Sequence, residues 1–439
     1  MHTLEQLRAG ALTGIQALKL SENLTEVPAE VFQLADTLEI LDLSGNRLHS
    51  LPQEMACLTR LRILFLSDND FTIFPEVLKE LKQLDMLGIK ANNIQVIAED
   101  AIPVSLRWLI LTDNCIEALP VSIGRCTKLQ KVMLAGNQLS GLPDELAACR
   151  NIELLRISAN NMHTFPEVVK QLPRLAWLAY SSNPFQVNRS SFNALPVIAW
   201  ENVALMEQLG AGASGIIYKA RLNTGKSPED VAVKVFKGAV TSDGLPEDEM
   251  TACMQAGRNS HLVSVLGVIG GHPEGMHGLV MELIPAEYKN LGRPPSFVTC
   301  TRDTFAAGTR FTAQQMLLIL KGVAEAAKQL HDNGIMHGDL YAHNTLINEK
   351  YHSLFGDFGA ATLYDKNNRD EAFFLERLDV RAFGCLADDL LQYSVCTKED
   401  EWCLETLKRL SAGCMNEEPD KRPAFNTIVY ELQLLQNTH

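Results

Sequence analysis

The chain has 439 residues, 46% of them hydrophobic and 21% charged, with 53 acidic against 39 basic side chains. That length leaves room for about two to four domains, and the composition is that of a folded chain, neither disordered nor collagenous. A net charge of −14 argues against nonspecific attachment to DNA or to an acidic membrane.

Ten cysteines are too sparse for a disulfide scaffold, and none forms a C-x-x-C pair, which argues against a zinc site. Cys57, Cys126 and Cys149 each stand midway between two members of a recurring asparagine series and read as small buried hydrophobes. The first 14 residues lack the basic and apolar regions of a signal peptide, and no run of about 18 apolar residues follows. A cytoplasmic location is the expectation.

The asparagines recur at Asn23, Asn46, Asn69, Asn92, Asn114, Asn137, Asn160 and Asn183, an even spacing broken only by a step one shorter between Asn92 and Asn114. Around them runs L-x-x-L-x-L-x-x-N, as in Leu38, Leu41, Leu43, Asn46 and again in Leu106, Leu109, Leu111, Asn114. A proline follows each of five of them, at Pro52, Pro75, Pro120, Pro143 and Pro166. Each unit predicts a short strand with inward leucines, a turn whose asparagine satisfies backbone groups, and a helical or extended return. No unit buries its apolar face alone, so stacking provides the core. The fourth unit, the short one and with Ile102-Pro103 displaced, predicts an irregular convex side. The pattern resembles the leucine-rich repeat, in about eight units. Positions flanking the strand leucines face the inner surface, and Ile40, Phe65, Trp108, Met133 and Trp177 among them form an apolar stripe. Such a stripe predicts a protein partner or the chain's own second half.

The period ends at Asn183-Pro184-Phe185, and residues 186–193 read as a cap or short linker. Gly210, Gly212 and Gly215 follow in G-A-G-A-S-G, ahead of the branched run Ile216-Ile217-Tyr218. That order predicts strand, loop and strand rather than the helix start of a dinucleotide fold. Glycines suit a loop whose bare backbone approaches phosphate. Lys234 stands in Val231-Ala232-Val233-Lys234-Val235-Phe236, where an ammonium makes sense if it meets phosphates and a helix carboxylate. Glu249 is the choice for that carboxylate by its distance to the next strand, expected at 262–268, with Glu247 the fallback. Met281-Glu282-Leu283 reads as a hinge offering main-chain groups to adenine.

In His337-Gly338-Asp339-Leu340-Tyr341-Ala342-His343-Asn344 the aspartate and asparagine are five apart, and Asp357-Phe358-Gly359 follows closely. Phosphoryl transfer asks for an aspartate to accept the hydroxyl proton and for an Asn/Asp pair to hold Mg²⁺ against phosphate. Asp339, Asn344 and Asp357 fill those roles. The runs at Asp379 and Asp420 supply helix landmarks further on.

These signals, in this order, resemble a eukaryotic-type protein kinase domain. Trp200, Cys414 and the Arg422-Pro423 ending are most similar to the tyrosine-kinase-like branch, and the whole chain resembles the cytosolic leucine-rich-repeat protein kinases. The resemblance implies a multidomain fold of α/β plus α+β character. A leucine-rich-repeat solenoid at 1–195 would precede a two-lobed protein-kinase-like domain at 196–439, with the N-lobe at about 200–283 and the C-lobe at about 284–439. It implies ATP and Mg²⁺ as cofactors and serine or threonine hydroxyls as acceptors, with tyrosine the second choice. Asp339 would be the base, Lys234 the phosphate clamp braced by Glu249, and Asn344 and Asp357 the metal ligands. Gly210, Gly212 and Gly215 would cover the phosphates, while Ile217, Ala232, Glu282, Leu283 and Leu346 would surround adenine.

Three departures stand out. Gly338 replaces the arginine that pairs with a phosphorylated activation loop, which predicts activity independent of that modification. Tyr341 stands two past Asp339, where Ser/Thr kinases place lysine, and His343 four past it, where tyrosine kinases place arginine; the histidine could substitute in part for the missing cation. The interval from Asp357 to Asp379 is short and holds no A-P-E, leaving Glu376 to serve Arg422 and Thr362 and Tyr364 as loop phosphosites. Residues 287–310 read as a surface insertion at the cleft mouth. Two further readings stay open: a pseudokinase scaffold that binds ATP without efficient transfer, and a small-molecule phosphotransferase with the same H-G-D-L-x-x-x-N loop. Residues 1–200 carry 17 basic and 21 acidic side chains (−4) and the remainder 22 and 32 (−10), which favours basic over acidic peptides as substrates.

Overall fold

The computed structural model describes residues 2–186, 195–212, 214–223, 228–237, 241, 243–395 and 400–438. The expected cap or linker at 186–193 therefore lies, from residue 187 on, outside the described residues. The chain divides into two compact units, Met1–Leu175 with Asn183–Phe185, and Ala176–Ser182 with Gln186–His439.

The leucine spacing produces three-residue strands. They are β1 (Ala17–Lys19), β2 (Ile40–Asp42), β3 (Ile63–Phe65), β4 (Met86–Gly88), β5 (Trp108–Ile110), β6 (Lys131–Met133), β7 (Leu154–Arg156) and β8 (Trp177–Ala179), in chain order in one parallel sheet. Their central residues, Leu41, Leu64, Leu87, Leu109, Val132 and Leu155, are fully buried. The strands stay in step through the short repeat, with Ile63 opposite Met86 and Met86 opposite Trp108. Single-turn 3₁₀ helices start after Pro52, Pro75, Pro120, Pro143 and Pro166. Between β4 and β5 no such turn forms, and Asp100 takes a left-handed φ of 60° on this irregular convex side.

The asparagine ladder is present from Asn46 on. Asn137 Nδ2 donates to Leu111 O (2.9 Å) and Leu134 O (3.0 Å), while its Oδ1 accepts from the Ile116 N–H (3.0 Å). Asn23, the first, is exposed. Ahead of β1 lies α1 (Leu4–Arg8), started by a reciprocal capping box between Thr3 and Gln6.

Cys126 and Cys149 are buried, but Cys57 is exposed. The register explains the correction. Cys57 falls one place nearer its asparagine, Asn46, than Cys126 does to Asn114 or Cys149 to Asn137. Leu58 therefore takes the inward position in that repeat and is fully buried. On the inner face Ile40, Phe65 and Trp108 are partly exposed, whereas Met133 is 9% and Trp177 1% exposed. Trp177 is thus no part of a solvent-facing stripe.

In the second unit a six-stranded sheet runs in the order β10 (Val203–Ala211), β11 (Gly215–Leu222), β12 (Glu229–Phe236), β14 (Gly278–Glu282), β13 (Val265–Gly270), β9 (Val197–Ala199). All pairs are antiparallel except β13 with β9. Val231, Val233 and Val235 of β12 join Val203, Ala220, Leu222 and Val280 in a core on one face. By the two-residue period of a strand, Ala232, Lys234 and Phe236 take the other face. Helix α2 (Pro246–Ala256) follows β12. The remainder is mainly helical, with α3 (Ala313–Asp332), α4 (Arg369–Leu391), α5 (Glu401–Cys414) and α6 (Phe425–Thr438). It also carries two small sheets, one of Lys289–Asn290, Thr345–Ile347 and Ser353–Phe355 and one of Ile335–Met336 and Thr362–Leu363. Among the described residues no helix is long and apolar enough to cross a membrane.

Candidate active site

Strand alternation aims Lys234 into a cavity of about 500 Å³ lined by Gly210, Ile217, Ala232, Glu249, Met281, Glu282, Leu283, Asn344, Leu346 and Asp357, among others. The ammonium pairs with the Glu249 carboxylate from α2, and both side chains are nearly buried. Burial opposes the lysine charge, but Glu249 and Asp357 outweigh it and hold the Lys234 pKa above its usual value. Glu247, the fallback partner, is largely exposed and lies 3.9 Å from His277 instead.

The glycines have separate reasons. A Cβ on Gly215 would come within 2.5 Å of the Val235 carbonyl, so the hairpin can close only on glycine there. Gly210 and Gly212 have open space at the Cβ position, which leaves bare backbone beside the cavity. The Gly212 N–H donates to Gly215 O (2.9 Å) across the turn. A smaller recess joins Gly212, Gly215 and Lys234 to Asp357 and Gly359. Lysine, glycine turn and aspartate around one recess suit a polyphosphate chain.

The loop after Ile335–Met336 is held from within. Asp379 of α4, fully buried, accepts from the His337 N–H (2.7 Å), the Gly338 N–H (3.0 Å) and His331 Nε2 (2.9 Å). His337 is buried between Phe355 and Phe358, and its Nδ1 accepts from the Asp339 N–H (3.2 Å). Burial pushes its pKa down, which fits a neutral ring donating through Nε2 to Gly356 O (3.2 Å). Asn344 Nδ2 donates to Asp339 Oδ2 (2.6 Å) and to Asp339 O (3.0 Å), tying the two polar ends of the loop together. Asp357 sits at a left-handed φ of 59°, at the edge of both recesses. Among the described residues no three His, Cys, Asp or Glu side chains converge to hold a metal. Asn344 and Asp357 both line the larger recess and carry oxygens of the kind that a hard cation takes beside phosphate.

Several expectations change. Residues 287–310 are mostly exposed or half-buried, with Phe297 and Val298 open to solvent, but the segment is anchored to the rest of the unit through residues 300–303. Cys300 and Thr301 are buried, and Arg302 reaches Asp388 (2.8 Å) and Asp389 (2.6 Å). Asp303 receives the His343 ring at 2.7 Å and the His343 N–H at 2.9 Å. Against the effect of burial, that bond and charge raise the His343 pKa. Nothing in the spacing of the sequence marks Asp303. Thr362 is fully buried in a strand beside Met336, and Tyr364 is 4% exposed and bonded to His331 (2.9 Å), so neither lies open as a phosphosite. Glu376 is taken up by Arg377 (2.5 Å) and by the Phe425 N–H (2.9 Å), while Arg422 donates to the carbonyls of Asn416 (2.7 Å) and Arg377 (2.9 Å).

Residues 203–381 match the family described as protein tyrosine and serine/threonine kinase, and residues 13–71 match leucine rich repeat. The chain is 24% identical over 277 residues to ephrin type-B receptor 4b of Danio rerio, covering 53% of this chain and 27% of the receptor. It is 28% identical over 218 residues to cyclin-dependent kinase 20 of Danio rerio, covering 44% and 58%. It is 25% identical over 168 residues to a probable cyclin-dependent serine/threonine-protein kinase of Dictyostelium discoideum, covering 38% and 24%. The chain thus spans about a quarter of the length of the first and third of these. It is also 25% identical over 286 residues to the proto-oncogene tyrosine-protein kinase ROS of Mus musculus, covering 54% of this chain and 12% of that protein, so tyrosine and serine/threonine types are both represented.

Proposed function

We propose that this chain, which joins leucine-rich repeats to a domain of the protein tyrosine and serine/threonine kinase family, transfers the γ-phosphate of ATP to protein hydroxyls, serine or threonine first and tyrosine second. The observation that carries this reading is the convergence of the Lys234–Glu249 pair, Asn344 and Asp357 on one cavity, with the Asp339 carboxylate hydrogen-bonded to Asn344 (2.6 Å). Lys234 would meet the α/β-phosphates, and Ile217, Ala232 and Leu346 would enclose adenine beside the main chain of Glu282 and Leu283. Asp339 would accept the proton of the attacking hydroxyl and aim its oxygen. Mg²⁺ held by Asn344 and Asp357 would neutralise phosphate charge.

The repeat domain, taken as residues 1–195 ahead of a kinase domain at 196–439, would bind protein through Ile40, Phe65 and Trp108, which are the partly exposed members of the stripe. The nine described cysteines are all free thiols, which supports a reducing compartment such as the cytoplasm.

Transfer from labelled ATP to a basic general protein substrate tests the reading. Asp339→Asn should cost roughly 10²-fold or more in kcat, the scale of a lost general base, while ATP binding persists. A specific observation favours the scaffold alternative: Tyr341, where the family places a cation, is 4% exposed and stacked on another ring. Nucleotide binding with no transfer to protein or to a panel of small hydroxyl compounds would select the scaffold. Label on a small compound alone would select a metabolite kinase.

A further inference from the structure

Ala176–Ser182 comes from the eighth repeat of the sequence but belongs to the second compact unit. Trp177 Nε1–H donates to Leu340 O (3.0 Å), and its indole lies flat on Tyr341, with ring centroids 4.3 Å apart and planes 7° from parallel. One position on, the Leu178 carbonyl occupies the space that a Cβ on Gly338 would need. Tyr180 is buried near Glu371, in the first turn of α4. The Ser182 hydroxyl donates to Asp248 Oδ2 (2.5 Å), and Asp248 directly precedes Glu249 on α2. One short stretch therefore touches the Asp339 loop on both sides of the aspartate, the start of α4, and the helix that carries the partner of Lys234.

We propose that Ala176–Ser182 is an in-chain brace standing in for a phosphorylated activation segment, with Trp177 and Ser182 as positioning residues for Asp339 and Glu249. The proposal rests on reading the site as a phosphotransferase. It gives three departures a single cause. An arginine at 338 has no room beside Leu178 O. Tyr341 offers a flat face for the indole, which a lysine would not. The 357–379 segment is short because its bracing contacts are made by other residues. Each contact removes freedom from groups that must be aligned before transfer, which is where a rate gain from positioning arises.

The test uses the full chain in wild type and in Trp177→Ala, Trp177→Phe and Ser182→Ala. Hydrogen exchange is followed over residues 337–344 and 246–256, and kcat and KM for ATP are measured with a basic general protein as acceptor. The brace predicts faster exchange over 337–344 in Trp177→Ala, with kcat about tenfold lower and KM for ATP within about twofold. Trp177→Phe, which keeps a stacking face without the N–H, should recover part of kcat. Ser182→Ala should loosen 246–256, and it keeps the test alive if Trp177→Ala does not fold. Unchanged exchange in both segments overturns the brace. So does a rise of kcat in Trp177→Ala, which would mark the stretch as a cover over the acceptor site. A wild type that transfers no phosphate ends the phosphotransferase reading, and exchange still decides whether the stretch holds the loop.

Discussion

Gly338 is one of three places where this chain departs from the pattern its sequence resembles, and the one confined to a single residue. Its φ of 70° lies in the left-handed region, its N–H is held by Asp379, and the Leu178 and Ala360 carbonyls close the Cβ position. A side chain there meets both backbone strain and occupied space. Gly338→Arg, which restores the family's residue, should therefore lower stability by about 2 kcal/mol or more instead of raising activity. Thermal melting with parallel kinetics checks this, and a variant that melts like wild type and works faster would contradict it. The sequence marks the glycine as a departure but not its cause, since Leu178 belongs to the eighth repeat, far back along the chain. Cys57 teaches the same at smaller scale: a single step of register turns an expected core thiol into an exposed one.

Elements form where local pattern and burial agree. The asparagine ladder is legible because every rung repeats the same backbone problem, and Asn137 answers it with three hydrogen bonds. Asn137→Ala should leave the buried Ile116 N–H unmatched, while Leu111 O and Leu134 O keep their bonds from Asn114 and Asn160, at a cost of roughly 1–3 kcal/mol in urea unfolding. Asn23→Gly, at the exposed first position of the series where φ is 55°, should change stability by less than about 0.5 kcal/mol. Equal effects at the two sites would show that the ladder is not what holds the turns. Strand β12 is equally legible, because alternation alone puts Lys234 opposite the valine core. Residues 287–310 are not, because their anchors Arg302 and Asp303 are single charges whose partners, Asp389 and His343, lie in distant elements.

At the scale of the whole molecule, acid should weaken the second unit through Asp379. Burial opposes ionisation of this carboxylate, but the hydrogen bond and charge of His331, with help from His337, hold its pKa below the usual carboxylate value. A lowered folded pKa gives stability that is complete above the unfolded value, about 3.9, and is lost as pH falls through the folded one. The melting temperature of wild type should therefore drop as pH falls below about 4, and Asp379→Asn should be less stable at neutral pH with a shallower acid limb. Parallel acid limbs in the two proteins would remove Asp379 from that account.

The repeat, its strand register, the order of the kinase landmarks and the excess acidity of the second half are all readable from the chain alone. Each is written in short-range spacing or in simple counts. Folding in three dimensions settles the rest: which acid meets Lys234, why residue 338 is glycine, what Tyr341 faces, and that Trp177 lies in the second unit. Those outcomes depend on contacts between residues far apart in the chain, and periodicity carries no information about them.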